Sequence, residues 1–114
     1  MSLRERIEER DGPRCVWCDR EVWPRDRTLD HLVPSSRRGR AHESNLVLAC
    51  RPCNRARRSR PATAWGIERE RAGWTVRWET VVRVLGELET AGGREERDAA
   101  RRQLRRLGNR QGTA

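Results

Sequence analysis

Asn45-Leu46-Val47-Leu48-Ala49-Cys50-Arg51-Pro52-Cys53-Asn54 runs from one polar side chain through four apolar residues into a C-x-x-C knuckle and out to a second asparagine. The apolar run is short and bounded by punctuation, so it is expected to be a buried strand. Arg55-Ala56-Arg57-Arg58 continues without a breaker and is expected to be helical, with Asn54 at or near the helix start. Upstream, Thr28-Leu29-Asp30-His31-Leu32-Val33-Pro34 is expected to be a short strand ending at Pro34. Ser35-Ser36-Arg37-Arg38-Gly39-Arg40-Ala41-His42-Glu43-Ser44 is a polar loop joining the two. The order is therefore strand, loop, strand, knuckle, helix.

A second knuckle, Cys15-x-x-Cys18, lies upstream, with 31 residues between Cys18 and Cys50. Two C-x-x-C pairs have the spacing that lets four thiolates close a tetrahedron around zinc. Two disulfides or a redox pair are the other readings. Disulfides suit a secreted chain. Met1-Ser2-Leu3-Arg4-Glu5-Arg6 has no apolar secretion core, and a cytoplasmic location is expected. A redox C-x-x-C ordinarily opens a helix inside a βαβ unit, which this pattern lacks. A structural zinc held by Cys15, Cys18, Cys50 and Cys53 is the expectation. Such a site has no open coordination position, so it staples the fold and does no chemistry.

A staple is wanted here. The chain has 114 residues, 38% of them charged and 34% apolar, with five Trp and neither Phe nor Tyr. So polar a chain can bury only a modest core. No apolar run is long enough to cross a membrane. The formal net charge is +9, and every basic residue is Arg. Residues 37–60 carry net +7, from eight Arg against Glu43. This points to a polyanionic partner, with nucleic acid first. Arg37, Arg38, Arg40, Arg55, Arg57 and Arg58 are the expected backbone contacts, and affinity would depend strongly on salt.

Asp30 and His31 are the chemically apt pair between the knuckles. Neighbours on a strand point to opposite faces, so a bend near Pro34 is needed to bring both to one site. His31 is the natural general base, and Asp30 is a hard oxygen ligand suited to Mg²⁺ or Mn²⁺. Asn54 offers a carbonyl oxygen as a second ligand. Asn45 could fasten the His31 loop through bonds to backbone. Taken one at a time, each residue could equally be a packing histidine, a helix cap or an ion-pair partner.

The joint pattern resembles the HNH endonuclease family in its zinc-stapled form, over roughly residues 13–60. It rests on Cys15-x-x-Cys18, Asp30-His31-Leu32-Val33-Pro34, Asn45-Leu46 and Cys50-x-x-Cys53-Asn54. The resemblance implies a ββα-metal core in a small α+β fold. It implies that Asp30 and Asn54 bind one divalent metal, that His31 deprotonates the attacking water, and that Asn45 fixes the loop. It further implies DNA phosphodiester hydrolysis leaving a 5′-phosphate and a 3′-hydroxyl. A zinc-knuckle nucleic-acid binder without catalysis is the alternative. Two positions depart from the family. Arg38-Gly39 stands where Gly-Gly is frequent, with Gly39 expected to supply the positive-φ turn. Arg57 stands where a Lys is common. His42 is expected to be a solvated loop residue.

Around residues 1–75, taken as the nuclease module, helices are expected. Ser2 and Glu5 form a capping box, Gly12-Pro13 stops the first helix, and Leu3 and Ile7 pack on the zinc module. A turn is expected near Trp23-Pro24, and a short helix over residues 61–71. Residues 76–110 are taken as a helical extension. Trp78, Val81, Val82, Leu85 and Leu88 recur at helical spacing, Gly92-Gly93 breaks the pattern, and Ala100, Leu104 and Leu107 form a second stripe with an Asp98–Arg102 pair. These helices would pack on the module, on each other, or on a second subunit or other protein partner. Residues 111–114 are expected to be disordered.

Overall fold

Helix α1 spans Leu3–Asp11 in the structure, a computed structural model that describes residues 1–112, with side chains through Asn109. Its capping box is complete: Ser2 Oγ accepts the Glu5 N–H, and Glu5 Oε1 accepts the Ser2 N–H, each at 3.1 Å. Gly12, at φ 83°, ends it. Ile7 projects onto Leu46 and Leu48, with Leu3 and Leu29 alongside, so α1 covers one face of the sheet.

That sheet has two antiparallel strands, β1 (Arg27–His31) and β2 (Leu46–Cys50). Asp30 pairs with Val47 and His31 with Leu46. All five residues of β2 are buried, which explains its unbroken apolar run. β1 stops at His31, three residues short of the expected Pro34, because Leu32 and Val33 leave the ladder. Leu32 N–H still reaches Asn45 O, but Val33 is claimed by the Asn45 side chain.

Helix α2 (Arg51–Arg57) follows β2 directly, with Pro52 in its first turn where the missing N–H costs nothing. Helix α3 (Ala62–Arg71) begins after Pro61, as expected. Helices α4 (Trp78–Ala91) and α5 (Arg94–Gly112) form the hairpin, parted at Gly92-Gly93. The stripe on α4 differs from expectation at one position. Val84 is fully buried, whereas Val82 is 41% exposed. Asp98 meets Arg101 at 3.4 Å, one residue before the expected partner. Gln111 and Gly112 lie within α5 and not in a disordered tail; Thr113 and Ala114 fall outside the described residues.

Apart from the α1 cluster of Ile7, Leu46 and Leu48, a larger apolar core joins the knuckle, the sheet and the later helices. It runs from the knuckle residues Cys15, Val16 and Trp17 through Val33 and Val47 to Val81, Leu85, Leu88 and Ala100. The apolar stripes of α4 and α5 are thus used within the chain, against each other and against the module. No helix among the described residues is long and apolar enough to cross a membrane. The molecule is a small α+β protein with four cysteines gathered at one end of its sheet.

Candidate active site and metal centre

The four cysteine sulfurs lie within 4.8 Å of one another, all four residues are buried, and none is in a disulfide. Zinc at about 2.3 Å from each sulfur requires S···S separations near 3.8 Å, so the cluster fits a tetrahedral ion. The thiols also act on one another's titration. The Cys15 thiol is held down at about 5, chiefly by its hydrogen bond with Cys53. Cys53 is pushed up by the same bond, and Cys50 is pushed up by burial. Four thiolates cannot share this space without a cation. Donors already stand around the sulfurs: the Trp17 N–H to Cys15 Sγ at 3.3 Å, and Arg69 Nη2 to Cys53 Sγ at 3.2 Å. The Arg69 guanidinium is itself held between the rings of Trp65 and Trp74, at 5.0 and 4.7 Å.

A second site opens along the free edge of β1. A cleft of about 410 Å³ is lined by Asp30, His31, Asn54 and Arg58, with Pro34 and Ser35 on its loop side. Asp30 and His31 alternate faces, as neighbours on a strand must. Both residues line the cleft, His31 half-buried and Asp30 buried, with its carboxylate bonded to Trp17 and Arg57. No bulge is needed. Asn54 faces β1 from the second turn of α2. Its Nδ2 donates to Thr28 Oγ1 at 3.0 Å, and that hydroxyl donates to Ala49 O at 2.7 Å. The threonine proton is committed, so Thr28 must accept from the amide, and this fixes the amide orientation. Asn54 Oδ1 is left without a hydrogen bond among the described residues.

Asp30 is more heavily engaged. Trp17 Nε1 donates to Oδ2 and Arg57 Nη1 to Oδ1, both at 2.7 Å. Arg57 was expected on the nucleic-acid surface; instead it is fully buried. Its guanidinium also donates to His31 O and Leu32 O at 2.7 Å and to Arg60 O at 3.0 Å. It therefore holds the backbone at the end of β1 and cannot reach a phosphate. Burial raises the Asp30 carboxyl and lowers the Arg57 guanidinium from their ordinary values, against the attraction between them.

Asp30 and Asn54 are the residues here that could hold a hard divalent ion. Asp30 keeps a second lone pair on each oxygen, and Asn54 Oδ1 is free in the same opening. The positive Arg57 behind Asp30 would weaken such binding without blocking it.

The loop between β1 and β2 is fastened by Asn45, which is fully buried. Its Oδ1 accepts the Val33 N–H at 2.9 Å, and its Nδ2 donates to Val33 O and Arg40 O, each at 3.0 Å. Gly39 passes so close that a Cβ there would lie 1.7 Å from Val33 O. The positive φ expected at Gly39 falls instead on Arg38, at φ 68°. His42 caps the next turn, with Nδ1 accepting from the Ser44 N–H at 3.2 Å.

The remaining arginines divide by partner. Arg37, Arg55 and Arg58 are exposed and make no ion pair among the described residues. Arg38 is exposed, 3.8 Å from Glu95. Arg40 is drawn onto α5, where its Nε and its main-chain N–H both bond to Glu96, at 2.8 and 2.9 Å.

Residues 15–60 match the family model of the HNH endonucleases. This segment is an HNH module. It contains both knuckles, both strands and α2, while α1 and the last three helices lie outside it. No curated protein and no solved structure matches the chain. Three residues that shape the HNH site were not singled out from the sequence: Trp17, Thr28 and Glu96. Trp17 alone left a signal, as an indole inside a knuckle whose N–H must find a buried acceptor.

Proposed function

We propose that this protein is a metal-dependent HNH endonuclease that hydrolyses DNA phosphodiester bonds. The observation that carries the reading is the shared cleft of Asp30, His31 and Asn54 inside the HNH module. The His31 ring has no hydrogen-bond partner among the described residues, so it is free to take the proton of an attacking water. Arg57 and Asn45 hold the backbone from His31 through Val33. Arg58, on the cleft rim, would meet a non-bridging phosphate oxygen. Asp30 and Asn54 would hold one Mg²⁺ or Mn²⁺, which would supply electrophilic help to the scissile phosphate and the leaving oxygen. The four-cysteine cluster would hold a structural zinc. Arg37, Arg55 and Arg58 are the free cations for the DNA backbone, with Arg38 and Arg40 at its margin.

One observation favours a second reading, a zinc-knuckle nucleic-acid binder without catalysis: the Asp30 carboxylate is already matched by Arg57 and Trp17. A nicking assay on supercoiled plasmid separates the two. Purified protein with Mg²⁺, Mn²⁺ or chelator is run beside His31→Ala. Metal-dependent cutting that disappears in the variant supports the nuclease. Salt-sensitive DNA binding with no cutting by either metal supports the binder.

A further inference from the structure

Trp23 is the outlier among five tryptophans. Trp17 and Trp65 are buried and Trp74 and Trp78 half-buried, whereas Trp23 is 73% exposed on the turn before β1. Trp23 lines two adjoining cavities of about 540 and 340 Å³, and most of its side chain is open to a ligand. The larger cavity is lined by Arg20, Arg51, Pro52 and Arg55 together with the acids Glu21 and Asp26. Arg51 and Arg55 belong to α2, and Arg58 follows them at the end of that helix. Positions 51 and 55 share one helix face, Arg58 caps the helix just beyond them, and all three side chains are exposed. The stripe leads from the Trp23 cavity to the cleft of His31 and Asn54, which Arg58 lines. Its length is roughly 10 Å at the rise of an α-helix, which spans about three nucleotides of a duplex strand.

An exposed aromatic ring at the end of a track of arginines that make no ion pair among the described residues, Arg51 donating only to Arg25 O at 3.0 Å, is the arrangement that binds a nucleobase by stacking and its phosphates by charge. A base inside a duplex shows only its edge, because its faces are occupied by neighbours. The face of Trp23 therefore suits an unpaired base. We propose that the Trp23 cavity is a nucleobase-stacking site, in which an unpaired base of the bound DNA strand lies on the indole while Arg51, Arg55 and Arg58 lead its phosphates toward the His31 cleft. This makes strands with an unpaired segment (single strands, flaps or junctions) the favoured ligands, and it rests on the proposal that the protein acts on DNA.

The test uses the zinc-loaded full chain carrying His31→Ala, with no added divalent metal, so that binding is read without cleavage. The probes are a fluorescein-labelled oligothymidylate and a blunt duplex of equal length, followed by anisotropy. Trp23→Ala is expected to weaken oligothymidylate binding by about ten-fold or more, as loss of one stacked base does, with little change for the duplex. Trp23→Phe is expected to recover most of the loss. Oligothymidylate is expected to quench the tryptophan emission of the parent more than that of the Trp23→Phe protein. Unchanged oligothymidylate affinity in Trp23→Ala overturns the proposal. So does an equal loss for both probes, or conversion of a dimer to a monomer by Trp23→Ala in sedimentation. The nuclease reading fails separately. A wild-type protein that cuts nothing, while Trp23→Ala still loses oligothymidylate affinity, removes the catalysis and leaves the stacking site.

Discussion

Arg57 Nη1 meets Asp30 Oδ1 at 2.7 Å across a junction closed to solvent, and the same guanidinium holds the carbonyls of His31 and Leu32. A buried pair of this kind is costly to break from one side, because the remaining charge has no partner. Arg57→Met is expected to lower unfolding stability by roughly 3–5 kcal/mol, and Asp30→Asn by a similar amount. The double variant should lose clearly less than the sum, since neither charge is then stranded. Denaturant unfolding of the four proteins at neutral pH measures this. Additive losses would mean that the pair is not coupled.

Asn45 makes three bonds from one buried amide, two to Val33 and one to Arg40. Asn45→Ala leaves those backbone groups unsatisfied and is expected to cost about 2–4 kcal/mol. The more specific expectation is local. The Val33 amide proton, bonded in the parent to Asn45 Oδ1, should exchange much faster with solvent in the variant, while the amides of α4 keep their relative protection. Hydrogen exchange resolved by residue reads this directly.

What could be read in advance follows the range of each interaction. The zinc ligands were legible because each knuckle is local and chelation demands that spacing. The α1 cap was legible because Ser2 and Glu5 are three residues apart. The fate of Arg57 was not legible. Arg55-Ala56-Arg57-Arg58 looks uniformly basic, and only the phase of α2 against a strand 27 residues earlier turns one arginine inward. Val82 stands on the expected stripe where Val84 is the buried residue, for a related reason: both are apolar and two apart, so the pattern leaves a choice that only the partner surface makes. Arg38 and Gly39 show the same limit in a loop, where close approach to Val33 and positive φ fall on different residues.

That division gives two opposed expectations. A Cβ at Gly39 would lie 1.7 Å from Val33 O and 2.8 Å from Asn45 Nδ2, both fixed atoms. Gly39→Ala must therefore displace the loop, and a loss of about 2 kcal/mol or more is expected, with reduced protection at Val33. Arg38 sits in the left-handed region, which costs a residue with a Cβ about 1–2 kcal/mol. Arg38→Gly relieves this but frees the unfolded chain, so a net gain of up to about 1 kcal/mol is expected. Thermal melts of both variants at neutral pH check the two signs together. A destabilised Arg38→Gly protein would show that the guanidinium contributes more than its backbone conformation costs.

Glu96 ties the C-terminal hairpin to the HNH module. One oxygen accepts Arg40 Nε and the Gly93 N–H, and the other accepts the Arg40 N–H. Burial pushes its carboxyl up, but these donors together outweigh it and hold the group below the ordinary glutamate value of 4.5. A carboxyl lowered by folding stabilises the fold above its unfolded value, and that contribution disappears as pH falls through the folded value. Melting temperature should therefore fall on acidification below about pH 4.5. Asp11, lowered by Arg10 and Arg83 against burial, contributes in the same direction. Glu96→Gln should be less stable at pH 7 and should lose part of this acid dependence, narrowing its gap from the parent as pH drops. Melts from neutral to acidic pH decide it. A gap that stays constant across the series would mean that the Glu96 charge does not dock the hairpin on Arg40.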